Sequence, residues 1–484
     1  MATSLNELNR QANELKAAGH FDAALALFQR IVDLAPGNAV VLHNLAAALG
    51  DAGRHREAVT WARRALGAGL DAPETWLVLA RALAAEAGAE AAAEQAADEA
   101  EQAFAQVLRR RPADTQAHRD LAQLRWMRSA DRGQALAALD EALASQPQAV
   151  ALHLVRADVL RQIGDSAGAY AQALTALRLG GGAHPQLLLS AANAAFAAGD
   201  AEAAWTHAQA AAGADPADPS IAYALCRAWL ARGEPRQAEA IAAGLRARFP
   251  LDQSYIALQA TAWRLLDDPR QAALCDCERL VQGFELACPP GWTAVERYVD
   301  DLIEALDLHH RYRTHPFGQS VRQGSQLPSI DRIDAAPLKA VPAAIDGPLR
   351  AYLARLGPGD DPLRQRQLGG WRLFSAWSVR LAAGGGHHVN HVHPQGWLSS
   401  ACHLRFPAPA DPQDRSGWLS FGAPGLATRP ELPAQRLVQP RKGVMVVFPS
   451  YLWHGTLPFG GPLTRLSMAA DLLPAAPGGV SVAA

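Results

Sequence analysis

The chain has 484 residues, enough for roughly two to four folding units with apolar cores of their own. With 45 Lys and Arg against 47 Asp and Glu its formal charge is −2, which leaves no global basic field to attract nucleic acid or anionic lipid. Five cysteines build neither a disulfide framework nor a paired CxxC zinc pattern, the opening MATSLNELNR lacks a signal-peptide layout, and no apolar run approaches the ~18–20 residues of a membrane span. A soluble, cytoplasmic protein with no membrane and no nucleic-acid partner is expected.

From Leu5 to about Leu266 the sequence is rich in alanine and leucine at helical spacing, and it repeats itself. One and the same interval separates Gly19 from Gly53, Ala24 from Ala58, Gly199 from Gly233, and Pro216 from Pro250. Such a period signals stacked units. Each unit reads as a helix ending near glycine, a turn, an alanine-rich second helix and a proline that begins the next, as in AAGHFDAALALFQRIVDLAP and ARGEPRQAEAIAAGLRARFP. Ala24, Ala58, Ala169 and Ala203 are expected where two helices must approach closely. The pattern resembles tetratricopeptide repeats, about seven units over residues 5–266, with residues 86–106 stretching one unit beyond the period. Such an array implies a surface for an extended peptide or a partner helix, or a role in assembly, including assembly into a homo-oligomer.

Residues 267–370 alternate helical stretches (WTAVERYVDDLIEALDLHH) with Pro/Gly-rich segments (RTHPFGQSVRQGSQLPS) and read as a linker with helical support. Cys275 and Cys277 are separated by a single residue on a helical pattern, point to different faces and read as structural. In the polar loop, Gln319, Arg322 and Gln326 are candidate substrate contacts or simply a turn facing water.

After Trp371 the period switches to two, in WRLFSAWSVRL, WLSSACHLRF, GWLSF, AQRLVQ, GVMVVF and LTRLSMAADLL, the pattern of short strands and turns that predicts a barrel or jelly roll over 371–484. Six of the sixteen histidines lie here: His387, His388, His391, His393, His403 and His454. In GGGHHVNHVHP, extended backbone would put His391 and His393 on one side, so that two ring nitrogens could share a metal. His387 and His388 follow three glycines and are expected to be solvated. His454 stands alone at the far end of the stretch, after another strand that barrel closure could bring beside the first pair. Further on, Arg465, with Ser467 on the same strand face, offers a fork suited to a carboxylate. Trp397 and Trp453 read as walls that keep the region dry, Trp397 also as a possible platform for substrate.

HVHPQGWLSS (391–400), KGVMVVFPSYLWHGTLP (442–458) and TRLSMAAD (464–471), together with LLDDPRQAALCDCERLV and HPFGQSVRQGSQ (315–326), resemble the 2-oxoglutarate/Fe(II)-dependent oxygenase family with N-terminal tetratricopeptide repeats. The resemblance spans nearly the whole chain. It implies a multidomain α + β protein: an all-α solenoid over 1–266, support over 267–370, and a C-terminal double-stranded β-helix of the cupin type. It further implies Fe(II), 2-oxoglutarate and O2 as cofactor and cosubstrates, and hydroxylation of a C–H bond, with a protein or peptide substrate recruited by the solenoid. His391, His393 and His454 would be the catalytic metal ligands, and Arg465 with Ser467 the cosubstrate contacts. The common facial triad has an acid in the second position after its first histidine. Here that position holds His393, so a three-histidine site and a two-histidine site completed by water both stay open, and Cys402-His403 replaces the family's aromatic pair. Rival readings are a non-catalytic scaffold with a decayed barrel, an oxygenase of a small molecule or glycan precursor, and a three-histidine dioxygenase without 2-oxoglutarate.

Overall fold

The computed structural model describes residues 4–87, 93–406, 411, 413–460 and 464–476. The chain divides into two compact units, Met1–Val155 and Arg156–Ala484. In the first, helices α1 (Leu5–Ala17), α2 (Phe21–Leu34), α3 (Ala39–Asp51), α4 (His55–Gly67), α5 (Pro73–Ala87), α6 (Ala93–Arg110), α7 (Thr115–Ser129) and α8 (Arg132–Ser145) follow one another, and α9 (Val150–Gln162) crosses into the second. The second continues with α10 (Ser166–Leu179), α11 (Pro185–Ala197), α12 (Ala201–Ala214), α13 (Pro219–Arg232), α14 (Pro235–Arg248) and α15 (Gln253–Leu265). Consecutive helices pack pairwise, α3 on α4 and α5 on α6 in the first unit, α11 on α12 and α13 on α14 in the second.

The constant period of the repeats has a backbone cause. Gly19, Gly53, Gly199 and Gly233 end the first helices of their hairpins at φ of 79°, 77°, 79° and 79°, a left-handed turn that any Cβ would strain. Ala24, Ala58 and Ala169 are fully buried, as expected for close helix contacts. At the fourth position the buried alanine is Ala204 and not Ala203, because the burial register follows Ala238, one repeat period later. In the stretched segment, α5 and α6 have 15 and 18 residues, against 13 or 14 in α1–α4. The turn between them lies outside the described residues.

Beyond α15 come α16 (Pro269–Leu274), α17 (Cys277–Leu280), α18 (Val295–His309), α19 (Ala336–Lys339) and α20 (Val341–Leu356). The strands are β1 (Gln282–Glu285), β2 (Val321–Arg322), β3 (Gly324–Pro328), β4 (Gly370–Leu381), β5 (His387–His388), β6 (Leu398–Arg405), β7 (Leu419–Phe421), β8 (Arg436–Val438), β9 (Val444–Pro449), β10 (His454–Thr456) and β11 (Arg465–Ala475). They form an antiparallel six-stranded sheet in the order β1-β9-β6-β11-β4-β3, a three-stranded sheet β10-β7-β8 and the pair β2-β5. Every period-two segment after Trp371 is a strand. The polar stretch read as loop also contributes two, because Gly324–Pro328 finds an open edge on β4 and Val321–Arg322 pairs with His387–His388. Edge pairing of this kind depends on a partner distant in sequence, not on local pattern.

One apolar core joins Leu398 and Leu404 of β6, Phe421 of β7, Met445 and Val447 of β9 and Leu466 of β11 to Tyr298, Ile345 and Tyr352 from the helices before them. Helix α15 enters that core with Ile256, Ala260 and Trp263, while Leu258 and Ala262 pack on Cys226 and Leu230 of α13. A helix covered on so many sides must be apolar around most of its circumference, and Ile256 through Trp263 are all buried. Cys275 and Cys277 are buried in the same core. Among the described residues no helix is long and apolar enough to cross a membrane.

His310, at the end of α18, is buried between Ser325 and Ser378, its Nδ1 2.9 Å from one hydroxyl and its Nε2 3.0 Å from the other. Burial first, then the nearby Arg380, push its pKa down to about 3. Below the ordinary value of 6.5 the unfolded chain therefore takes up a proton that the folded chain refuses until about pH 3. This group is expected to lower stability by up to ~1.4 kcal/mol per pH unit across that window. Urea unfolding from pH 7 to 4 should show a shallower slope in His310→Gln; an identical slope would exclude His310 as a source.

Candidate metal centre

His391, His393 and His454 come together, with one ring nitrogen from each lying within 4.8 Å of the others. Two come by local means and one by a distant partner. His391 and His454 form an antiparallel bridge, His391 N donating to His454 O at 2.8 Å and His454 N to His391 O at 3.0 Å. In each, Nδ1–H donates to the second carbonyl back along the chain, Val389 O and Leu452 O, both at 2.9 Å. His393 instead donates its Nδ1–H to Asp471 Oδ2 on β11 at 2.7 Å. Gly455 lets β10 approach this closely, since any Cβ there would collide with Asn390 Oδ1 and the carbonyl of His388.

With each Nδ1 committed to an oxygen, Nε2 is the ring atom that each histidine has left for a common centre. His391 Nε2 and His393 Nε2 are 3.1 Å apart. Two nitrogens bound to one ion at about 2.1 Å with a right angle between them would be separated by roughly 3.0 Å. Ring centroids lie 4.2 Å apart for His391 and His454, and 5.0 Å for His393 with either partner. Burial, then the neighbouring imidazole of His393, pushes His391 down to about 3, and burial and the imidazoles of His391 and His393 hold His454 well below its ordinary value. Both are therefore neutral at pH 7, the form that ligates metal.

Asp471 was not legible as a site residue, although the signal existed: it follows Arg465 and Ser467 in TRLSMAAD at the alternate spacing that places all three on one strand face. Its second oxygen accepts from Ser399 Oγ at 2.7 Å, and Ser399 Oγ lies 2.8 Å from Ser450 Oγ. Asp471 and His393 thus form a carboxylate–histidine pair, an arrangement that orients an imidazole and would make it a more basic ligand to a metal. Trp377 stacks on His393 at 5.4 Å with planes 21° apart, and Phe448 lies 4.5 Å from His454. These aromatic neighbours follow from sheet register and could not be read from local pattern.

Arg465 is 1% exposed. It donates Nη1 to Gly417 O at 2.6 Å and Nη2 to the His403 ring at 3.0 Å, while its Nε has no partner and no carboxylate pairs with it among the described residues. Burial pushes it down to about 9, so it remains a cation at pH 7. Ser467 stands next but one along the strand, opposite His403 and Val379. His388 links the two groups: it stacks on His391 at 6.1 Å and its pKa is depressed by burial, by His391 and by Arg465.

His387 and His388 are not in a solvated loop. They form β5, half-buried, with His388 Nδ1 3.0 Å from Ser320 Oγ, because pairing with Val321–Arg322 removes this segment from water. Gln319 and Gln326 bond to each other at 3.1 Å, and Arg322 donates to Gln319 O and Val321 O. Arg322 is near enough to His391 to contribute to its lowered pKa. Trp397 is fully buried with its indole N–H on Leu363 O at 2.8 Å, so it presents no face to a substrate. Trp453 donates to Thr261 Oγ1 of α15 at 2.9 Å.

Residues 375–471 match the family model described as Putative 2OG-Fe(II) oxygenase, and residues 15–86 and 195–262 match that of the tetratricopeptide repeat. No curated protein matches the chain. Among solved structures it is similar to a tetratricopeptide repeat protein from Parabacteroides merdae, at 14% identity over 53% of this chain and 98% of that one, with a TM-score of 0.37. It is also similar to a thermophilic tetratricopeptide repeat protein of Thermus thermophilus, at 21% identity over 47% and 100%, with a TM-score of 0.26.

Replacing Asp471 by Asn keeps an acceptor for His393 and removes the charge. Divalent-metal affinity of the full chain, read by competition with a chromogenic chelator, is expected to fall about 10- to 100-fold. Unchanged affinity would take Asp471 out of the site.

Proposed function

We propose that the protein is a 2-oxoglutarate- and Fe(II)-dependent dioxygenase that hydroxylates a protein or peptide substrate. The observation that carries this reading is the convergence of three imidazoles whose Nδ1 atoms are each committed to an oxygen. An all-imidazole cradle suits Fe(II), and Asp471 behind His393 supplies part of the negative charge that a directly bound carboxylate would bring. In this reading His391, His393 and His454 hold the metal, with His393 a third ligand. In the same reading residues 371–484 form a double-stranded β-helix, residues 267–370 brace it and lend β1, β2 and β3 to its sheets, and the repeats to residue 266 present substrate.

When bound, Fe(II) with 2-oxoglutarate and O2 supplies an oxidation in which 2-oxoglutarate becomes succinate and CO2, one oxygen atom entering succinate and the other a substrate C–H bond. The chain's own residues prepare that chemistry. Arg465, buried without an acid, favours an anion strongly, because an uncompensated cation in an apolar interior gains most from a partner. The far carboxylate of 2-oxoglutarate fits this need, with Ser467 beside it as a hydroxyl donor. His403 takes the place of the family's aromatic pair by accepting from Arg465 and so orienting the guanidinium without adding charge. Trp377 and Phe448 shield the triad from water on two sides. The fixed tautomers and the unpaired guanidinium count against a decayed barrel, and the guanidinium also counts against a dioxygenase without 2-oxoglutarate.

Anaerobic addition of Fe(II) and 2-oxoglutarate to the full chain is expected to produce a weak visible charge-transfer band. His391→Ala should abolish it. Arg465→Ala should require about 100-fold more 2-oxoglutarate, the loss expected for a charge-assisted bidentate contact. A wild-type chain without the band, or an Arg465 variant that saturates like wild type, would refute the reading.

A further inference from the structure

The unit Arg156–Ala484 carries a set of arginines outside the metal centre that lack acids of their own. Arg227, on α13, is half-buried, lies 4.2 Å over the Phe196 ring and donates to Asn193 Oδ1 at 3.4 Å. Arg322, on β2, bonds only to the carbonyls of Gln319 and Val321. Neither has a carboxylate partner among the described residues. Arg161, near the end of α9, pairs with Asp158 at 2.6 Å and is near enough to lower the pKa of both Arg227 and Arg322.

Arg227 lies on a face that recurs along the repeats. Asn193, Arg227 and Thr261 occupy the same position in α11, α13 and α15, each one repeat period from the next. In α15 that position is used inside the protein, where Thr261 receives the indole N–H of Trp453, the residue before His454. One hairpin earlier the same position is Arg227, with nothing acidic set against it. The face reaches the metal centre at two further points. Gln162 of α9, next to Arg161, accepts from Gly318 N at 2.7 Å just before the loop that leads into Arg322, and Gln253 N at the start of α15 donates to Pro394 O, directly after His393. The other titratable groups nearby are Asp158, already paired, His315, near Arg322, and Asp252, which caps α15 and with Asp218 lies near Tyr255.

We propose that Arg161, Arg227 and Arg322 dock an acidic polypeptide segment, leading it along the first helices of the last hairpins toward the histidine triad. Arg161 already shares Asp158, but Arg227 is half-buried and Arg322 exposed, neither with an acid, so a partner of opposite charge would be favoured here. A carboxylate-bearing chain lying across successive repeats would pair them in order. Tyr223 and Phe196, beside Arg227, offer apolar surface for the stems of Glu or Asp side chains. The identity of the substrate as an acidic segment rests on the oxygenase reading; the docking itself does not.

The test uses metal-free full-length protein and fluorescein-labelled hexaglutamate or hexaglutamine, followed by anisotropy. Hexaglutamate should bind at least about ten-fold more tightly than hexaglutamine, and its binding should weaken between about 50 and about 300 mM salt, a range that spans screening lengths of ~10 Å and shorter. Arg227→Gln and Arg322→Gln should each weaken it about ten-fold. The two lie on different elements, so if Arg227→Gln unsettles the helix packing, seen as a lower melting temperature, Arg322→Gln decides. No preference for hexaglutamate, or unchanged binding in folded variants, overturns the proposal. So does tighter, arginine-dependent binding of an oligothymidylate of equal charge, which would make this a nucleic-acid surface. A hexaglutamate preference without a charge-transfer band would leave the docking surface standing and remove the oxygenase, and the reverse pair of results would do the opposite.

Discussion

The site depends on what becomes of three imidazole N–H groups. The rings are packed 4.2 to 5.0 Å apart, and an imidazole that offers Nε2 to a metal must place its one proton on Nδ1. For His391 and His454 the acceptor is a backbone carbonyl close behind in the chain, so the extended conformation that makes the strand also sets the tautomer. His393 has no such local solution and depends on Asp471, a partner from a different strand. Release of that one contact would free the His393 ring to turn its proton toward His391. The mutual arrangement of β11 and the histidine loop is therefore as much a part of the cluster as the histidines themselves.

Helix α15 connects this centre to the repeats. It completes the last helical packing through Leu258 and Ala262 and enters the core of the β-rich region through Ile256, Ala260 and Trp263. Its polar groups then hold the loops around the histidines: Gln253 N on Pro394, Thr261 on Trp453, and Arg264 on the carbonyls of Gly422 and Pro433. Tyr451 adds a hydroxyl bond to Leu274 O, just beyond. Each such bond contributes only about 1 kcal/mol, but together they restrict the loops that carry His393 and His454.

A formal charge of −2 conceals strong local asymmetry. Many arginines on the repeats pair with acids, as Arg125 and Arg128 do with Glu101 and Arg81 does with Asp120. Those of the β-rich region that matter here do not. Arg465 is sealed inside with one N–H unmet, and Arg322 bonds only to carbonyls. A buried guanidinium such as that of Arg465 gains more from an anionic partner than an exposed one does, because less water competes for it.

Much of this was legible in the sequence, and the reasons differ by element. The helical repeats announced themselves because the left-handed turns after α1, α3, α11 and α13 are made by glycine, and close helix contacts by alanine, at a fixed period. The late strands were visible as alternation, and His391, His393 and His454 as candidates because their spacing suits extended backbone and a second strand. Tertiary structure alone decided the rest. Pairing of Val321–Arg322 with β5 took His387 and His388 out of the solvent, and burial withdrew Trp397 from any surface. It also put Asp471 behind His393 and gave Arg465 a histidine for company and no acid. Periodicity is a property of consecutive residues, whereas the partner of a buried N–H or of a buried charge is chosen by whichever strand folds against it.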